Sequence, residues 1–132
     1  MSKAIPSIQN YMTSSPHTVG TDQTLAHAHA LLRQHKIRHL PVLRGGDLVG
    51  MLTERDLALV EALKDVDPSE VLVEEAMSTG AYAVTPEAPL DQVVSEMAAK
   101  KYGSAVVVEN NRVVGIFTVV DLCTAFVDLL RK

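Results

Sequence analysis

Gly50-Met51-Leu52-Thr53-Glu54-Arg55-Asp56-Leu57 and Gly115-Ile116-Phe117-Thr118-Val119-Val120-Asp121-Leu122 are one pattern written twice. A shift of 65 positions superposes the octets, and the same shift carries residues 12–57 onto 77–122 without a gap. Gly, Thr, Asp and Leu are identical in both, and the hydrophobic positions match. Outside the octets identities are sparse: Met12/Met77, Val19/Val84, Leu25/Leu90, Lys36/Lys101, Val42/Val107 and Val49/Val114. Copies that have drifted this far yet keep a polar Thr and Asp in register point to a shared use for those groups. The repeat therefore sets the unit of architecture before any other signal is read.

Working outward from the first octet, Asp47–Leu52 is an apolar run preceded by a second, His39–Leu43, with Arg44-Gly45-Gly46 between them. Two such runs split by Gly-Gly predict a β-hairpin, because glycine supplies the positive φ of a tight turn. Upstream, Leu25, Ala28, Leu31 and Leu32 recur at helical spacing up to Lys36, with Asp22 or Thr24 as cap. A β-prone stretch at Thr18-Val19 precedes that helix, and a second helix is expected from Thr53 to Leu63. The other copy repeats the order: helix Leu90–Lys101, strands Ser104–Val108 and Arg112–Phe117, helix from Thr118 to Leu130. Asn110-Asn111 takes the place of Gly-Gly, since Asn tolerates the left-handed region. Lys64–Pro68 is a polar break, Ser69-Glu70 opens a short helix toward Met77, and an N-terminal helix carrying Ile5, Ile8 and Met12 is expected to serve the first copy likewise.

The expected fold is thus α+β: two strand-helix-strand-strand-helix repeats, residues 10–64 and 76–130, joined by 65–75 and packed sheet to sheet about a pseudo-twofold. Three short strands per repeat are marginal alone, so each repeat needs a partner surface. The helices after the octets are apolar on nearly every face (Leu57, Leu59, Val60 and Leu63 in one; Leu122, Phe126, Val127, Leu129 and Leu130 in the other). Such helices are covered on more than one side, which predicts a homodimer.

Composition narrows the function. At 132 residues the chain buries enough surface to fold without a disulfide or metal. Its single cysteine, Cys123, suits a reducing, cytoplasmic setting and is expected to be packed in its apolar helix. There is no apolar run of membrane-spanning length and no signal-peptide core, and a net charge of −4 excludes the basic face of a nucleic-acid binder. Five histidines do not assemble into a ligand set: His27 and His29 lie on different helix faces, and His35 and His39 straddle a helix end. No nucleophile motif is present, so the chain is read as a non-enzyme.

With its Gly-hydrophobic-x-Thr-x-x-Asp motifs at 50–56 and 115–121, the segment Ile37–Val42, and Met12 and Met77 ahead of the repeats, the chain resembles the CBS domain. That domain, named for cystathionine β-synthase, occurs here as a tandem pair, a Bateman module. The resemblance spans about residues 10–130. It implies two clefts between the halves that take adenine nucleotides or related adenosyl compounds, a regulatory rather than catalytic role, and pairing into a disc. Family members that sense magnesium make Glu70, Glu74 and Glu75 a conceivable cation site.

Each Thr-x-x-Asp is a capping box in its own right, which stabilises a helix by about 0.5–2 kcal/mol with no further function. The motif also suits a nucleotide. A helix N-terminus attracts phosphate, the Thr53 and Thr118 hydroxyls add hydrogen bonds to it, and the Asp56 and Asp121 carboxylates accept from ribose hydroxyls. The resemblance places adenine against the stretches entering the first strands: His17, Thr18 and Val19 in one copy, Tyr82, Ala83 and Val84 in the other. Before the second strand the copies differ. Arg38 can fork onto phosphate oxygens and His39 can donate when protonated, whereas Gly103 and Ser104 supply no charge, although Lys100 and Lys101 are close in sequence. The expectation is AMP, ADP or ATP as ligand, no cofactor, and an unknown regulated protein. The rival expectations are an interaction module without ligand, or a sensor of S-adenosylmethionine or a divalent cation.

Overall fold

The computed structural model describes residues 4–132. Two compact units account for the chain: His17–Ala81, and Tyr82–Lys132 together with the residues up to Pro16.

In the first unit, β2 (Val19–Gly20) runs parallel to β3 (His39–Arg44), which pairs antiparallel with β4 (Asp47–Thr53). Helix α1 (Leu25–His35) connects β2 to β3, and α2 (Glu54–Glu61) leaves β4 directly. Thr24 caps α1, its hydroxyl accepting the His27 N–H at 3.2 Å, and Lys36 ends it in the left-handed conformation. Gly45 and Gly46 both take positive φ, as the hairpin requires. After α3 (Val73–Ala76), β5 (Ser78–Thr79) closes the sheet in the order β2-β3-β4-β5. Val19, Leu25, Ala28, Leu32, Leu40, Val42, Leu52, Leu57 and Val73 form its core.

The second unit follows the same plan at the same register. Here β6 (Ala83–Val84) lies parallel to β7 (Ser104–Glu109), and β8 (Arg112–Thr118) pairs antiparallel with β7. Helix α4 (Leu90–Lys100) precedes β7, and α5 (Val119–Leu130) follows β8. The pair His39↔Thr53 recurs as Ser104↔Thr118, and even the register shift after Val42 recurs after Val107. Asn110 and Asn111 make the turn at positive φ. The fourth strand is β1 (Thr13–Ser14), giving the order β1-β8-β7-β6.

That fourth strand corrects two expectations. Each sheet has four strands, not three, and each unit has its own apolar cluster. The N-terminal segment does not serve the first copy. It is a three-residue 3-10 turn (Ile8–Asn10), and fully buried Ile8 sits in the second unit's core beside Leu90, Val93, Met97, Phe117 and Ala125. Backbone bonds from Ile8 to Ala88 (2.8 Å) and from Leu90 to Pro6 (2.9 Å) hold it there. The linker serves the first unit in return: Leu25 N–H donates to Val71 (2.9 Å), and Val73 fills that core. The linker helix begins only at Val73, because Ser69 is held in a turn by the Asp67 carboxylate.

The two conserved glycines receive these incoming segments. A Cβ on Gly50 would lie 2.6 Å from the Ser78 carbonyl oxygen and 2.8 Å from Met77 Sδ, and one on Gly115 would overlap Met12 Sδ. The repeated Met-Gly correspondence is therefore a packing contact, made in each unit by the segment that joins its sheet.

The helices after the octets are less covered than their composition suggests. In α2 only Leu57 is buried; Leu59 is exposed, and so is Leu63 just past the helix end. In α5 only Ala125 is buried, and Cys123, expected to be packed, is exposed.

Candidate functional site

In both units the strand leaving the hairpin runs into a helix through Thr, so the first helical turn begins beside the end of the neighbouring strand; in the first unit the Glu54 N–H donates to the Arg38 carbonyl there at 2.9 Å. Register then decides the neighbours: Thr53 stands opposite His39, and Thr118 opposite Ser104.

The first junction is a reciprocal capping box. Thr53 Oγ1 accepts the Asp56 N–H (3.1 Å), and Asp56 Oδ2 accepts the Thr53 N–H (2.9 Å). In this arrangement the Thr53 hydroxyl proton remains available to an acceptor, and so does Asp56 Oδ1 to a donor. Arg38, His39, Thr53, Glu54, Arg55 and Ala58 line an open hollow of about 400 Å³ around it. Arg38 lies largely in solvent, 3.7 Å from Glu54, a loose pair that leaves the guanidinium free to reorient. Burial, reinforced by the Arg38 charge and opposed by Asp56, holds the His39 pKa below its usual value. The shift disfavours the protonated imidazole, the form in which His39 would donate to a phosphate as a cation.

The second junction uses the same residues differently. Asp121 Oδ2 accepts both the Thr118 N–H (2.9 Å) and the Thr118 hydroxyl (3.2 Å), and Asp121 Oδ1 accepts from Thr13 of the incoming segment (3.0 Å). Its carboxylate already has three partners. The residues equivalent to Arg38, Glu54 and Arg55 are Gly103, Val119 and Val120, so none of these positions carries a charge.

The stretches entering the parallel strands carry a feature that linear reading misses. His17 stacks on His35, with ring centroids 3.6 Å apart, and Tyr82, the equivalent of His17, stacks on Tyr102 at 5.1 Å. Burial raises the Tyr82 pKa, with lesser contributions from Glu96 and Tyr102. The partners His35 and Tyr102 sit at non-equivalent positions, which is why the repeat alignment does not reveal the pairs. Thr18 and Val19 follow His17, with Val19 buried and Thr18 half-buried. In the other unit Ala83 is exposed and Val84 half-buried. The Val106 N–H donates to the Tyr82 carbonyl at 2.8 Å. Pro41, at the equivalent position, has no N–H to give the His17 carbonyl.

Two of the three acidic linker residues, Glu74 and Glu75, are engaged elsewhere. Glu74 pairs with Arg44 at 3.0 Å, and Glu75 accepts the Leu72 N–H at 2.8 Å. Among the described residues no group of three or more His, Cys, Asp or Glu is placed to hold a metal, and no helix is long and apolar enough to cross a membrane.

The family model for the CBS domain matches this chain twice, at residues 8–62 and 73–128. The chain belongs to the CBS-domain family as a tandem pair. Among its relatives is the CBS domain-containing protein YhcV of Bacillus subtilis, 34% identical over 116 residues, covering 88% of this chain and 82% of YhcV. The crystal structure of AcuB from Vibrio cholerae superposes with a TM-score of 0.86 at 30% identity, covering 97% of this chain and 95% of that one. The CBS domain pair of protein MJ0100, solved in complex with 5′-methylthioadenosine and S-adenosyl-L-methionine, superposes with a TM-score of 0.83 at 28% identity, covering 93% and 97%.

Proposed function

We propose that this CBS pair is a regulatory module that binds an adenine nucleotide at the Thr–Asp junctions, acts as a homodimer in the cytoplasm, and passes its bound state to a partner protein. The observation that carries this reading is the unspent bonding capacity at the first junction. There Thr53, whose hydroxyl proton is free, the start of a helix and two arginines line one open hollow, and Asp56, locked to Thr53 by the capping box, keeps one carboxylate oxygen without an internal donor. A phosphate belongs at the helix N-terminus, with Arg38 able to fork onto its oxygens. Asp56 suits a ribose diol, and the His17–Val19 stretch suits the base. The His17 carbonyl, without a ladder donor from Pro41, is a candidate acceptor for the exocyclic amine of adenine.

A second reading has its own observation. The second junction carries no cation at the positions that charge the first, so it favours an adenosyl ligand with little or no negative charge. The ligands held by the MJ0100 pair are of that kind.

Thermal melting with AMP, ADP, ATP and S-adenosylmethionine tests the proposal. A ligand selective for the folded state stabilises it by about 2.7 kcal/mol at a hundredfold excess over its Kd, which raises Tm by several degrees. If none of the four moves Tm at millimolar concentration, the ligand reading fails and a pure interaction module takes its place.

A further inference from the structure

Thr13 and Ser78 are equivalent under the 65-residue shift and stand at the same register, Thr13 beside Ile116 on β8 and Ser78 beside Met51 on β4. Each brings a hydroxyl next to the strand that leads into a Thr–Asp junction. The two hydroxyls differ in what they do there. Thr13 Oγ1 donates to Asp121 Oδ1 at 3.0 Å, whereas among the described residues the Asp56 carboxylate bonds only to Thr53.

A carboxylate has room for about four donors, two on each oxygen. At Asp56 one place is taken, by the Thr53 N–H, so both hydroxyls of a ribose diol fit. At Asp121 three are taken: Oδ2 accepts the Thr118 N–H and hydroxyl, and Oδ1 accepts Thr13. Oδ1 is the oxygen that does not cap the helix, and its present partner is a secondary alcohol, the functional group that ribose carries at its 2′ and 3′ positions. The Thr13 backbone is fixed by pairing with β8 and by Ile8 in the core. Its side chain is exposed, so rotation about one bond releases the hydroxyl without moving the strand.

We infer that Thr13 is a specificity-determining residue of the second junction: its hydroxyl stands in for one ribose hydroxyl on Asp121, so this junction accepts a single ribose hydroxyl where the first accepts the diol. The inference rests on the reading of the junctions as adenosyl sites and assigns the N-terminal segment a part in one of them. A ligand bringing both hydroxyls has to turn Thr13 away, and its affinity falls by what that bond contributes.

Calorimetric titration with adenosine and 2′-deoxyadenosine tests the assignment, in proteins that all carry Asp56→Ala so that Asp121 is the motif carboxylate left to read the ribose. The Asp56→Ala parent should separate the two nucleosides by less than about threefold, since one place on Asp121 serves either. Adding Thr13→Val keeps the branched shape and removes the donor. It should strengthen adenosine roughly tenfold and leave 2′-deoxyadenosine nearly unchanged, because only the diol gains a further bond to the charged group. Adding Thr13→Ser instead retains a hydroxyl and should behave as the parent does. Asp121→Ala placed on top of Thr13→Val should abolish the gain. Melting curves without ligand accompany each titration: a bond that merely ties β1 to α5 would lower Tm in Thr13→Val and leave the discrimination as it was, which overturns the inference. So does a Thr13→Val protein that binds neither nucleoside, or a gain that survives Asp121→Ala. If wild type binds neither nucleoside, nor AMP, ADP, ATP or S-adenosylmethionine, the adenosyl reading itself fails and this inference with it.

Discussion

Asp56 and Asp121 have the same neighbours in sequence and different duties in the fold. Asp121 is spent on three internal donors, one of them from the segment at Thr13, whereas Asp56 caps its helix and keeps an oxygen in reserve. The two alanine variants should therefore differ in opposite directions. Asp121→Ala should lower Tm without ligand by more than Asp56→Ala does, because more hydrogen bonds to a charged group vanish with it. Asp56→Ala should cost more in affinity, about 1.5–3 kcal/mol or one to two decades, and equally for adenosine and AMP, since both carry the ribose diol. Melting curves without ligand and calorimetric titrations measure the two halves of that crossing. Should Asp56→Ala bind adenosine like wild type, its carboxylate is only a cap.

Between elements, the decisive contacts are where Gly50 and Gly115 let a neighbouring segment pass. Alanine at either position is an overpacking change, costing about 1–3 kcal/mol. The obstacles differ in kind. At Gly115 the nearest atoms to a new Cβ all belong to the Met12 side chain, which can be shortened, while at Gly50 the nearest is the Ser78 carbonyl oxygen, which is backbone. Met12→Ala should therefore relieve most of the added cost of Gly115→Ala, whereas Met77→Ala should leave much of the cost of Gly50→Ala in place. Double-mutant cycles from denaturant unfolding would show strong coupling for the first pair and weak coupling for the second. The sequence announces the hairpins, the helices and the Thr–Asp junctions, because turn chemistry and periodicity are local. The ends of the four long helices fall within two residues of expectation, whereas the linker helix starts late, at Val73, and the N-terminal helix is only the turn Ile8–Asn10. What it hides is non-local. Ile8 and Val73 are apolar residues in short segments, and nothing in their spacing says which unit's core each one fills. The same holds for the stacked pairs His17–His35 and Tyr82–Tyr102, whose members lie on different elements.

At the scale of the whole chain, the unit of sequence and the unit of folding are not the same. The first copy as written, residues 10–64, lacks the strand β5, the Val73 side chain and the backbone bond that Val71 accepts from Leu25. The contiguous stretch 17–81 contains all of them: four strands in one sheet, three helices, and every residue of one apolar cluster. Expressed alone, 17–81 should give a cooperative thermal transition, whereas 10–64 should give a broad one or none. The second unit is discontinuous, so 82–132 alone should be largely unfolded, deprived of Ile8 and of β1. Adding a peptide of residues 4–16 should restore structure to it, as the bonds from Ile8 to Ala88 and from Leu90 to Pro6 re-form. Circular dichroism of the three fragments, the last with and without peptide, is the measurement. If 10–64 melts as cooperatively as 17–81, or the peptide leaves 82–132 unchanged, the exchanged segments are passengers, and each repeat is held together by what lies within its own copy.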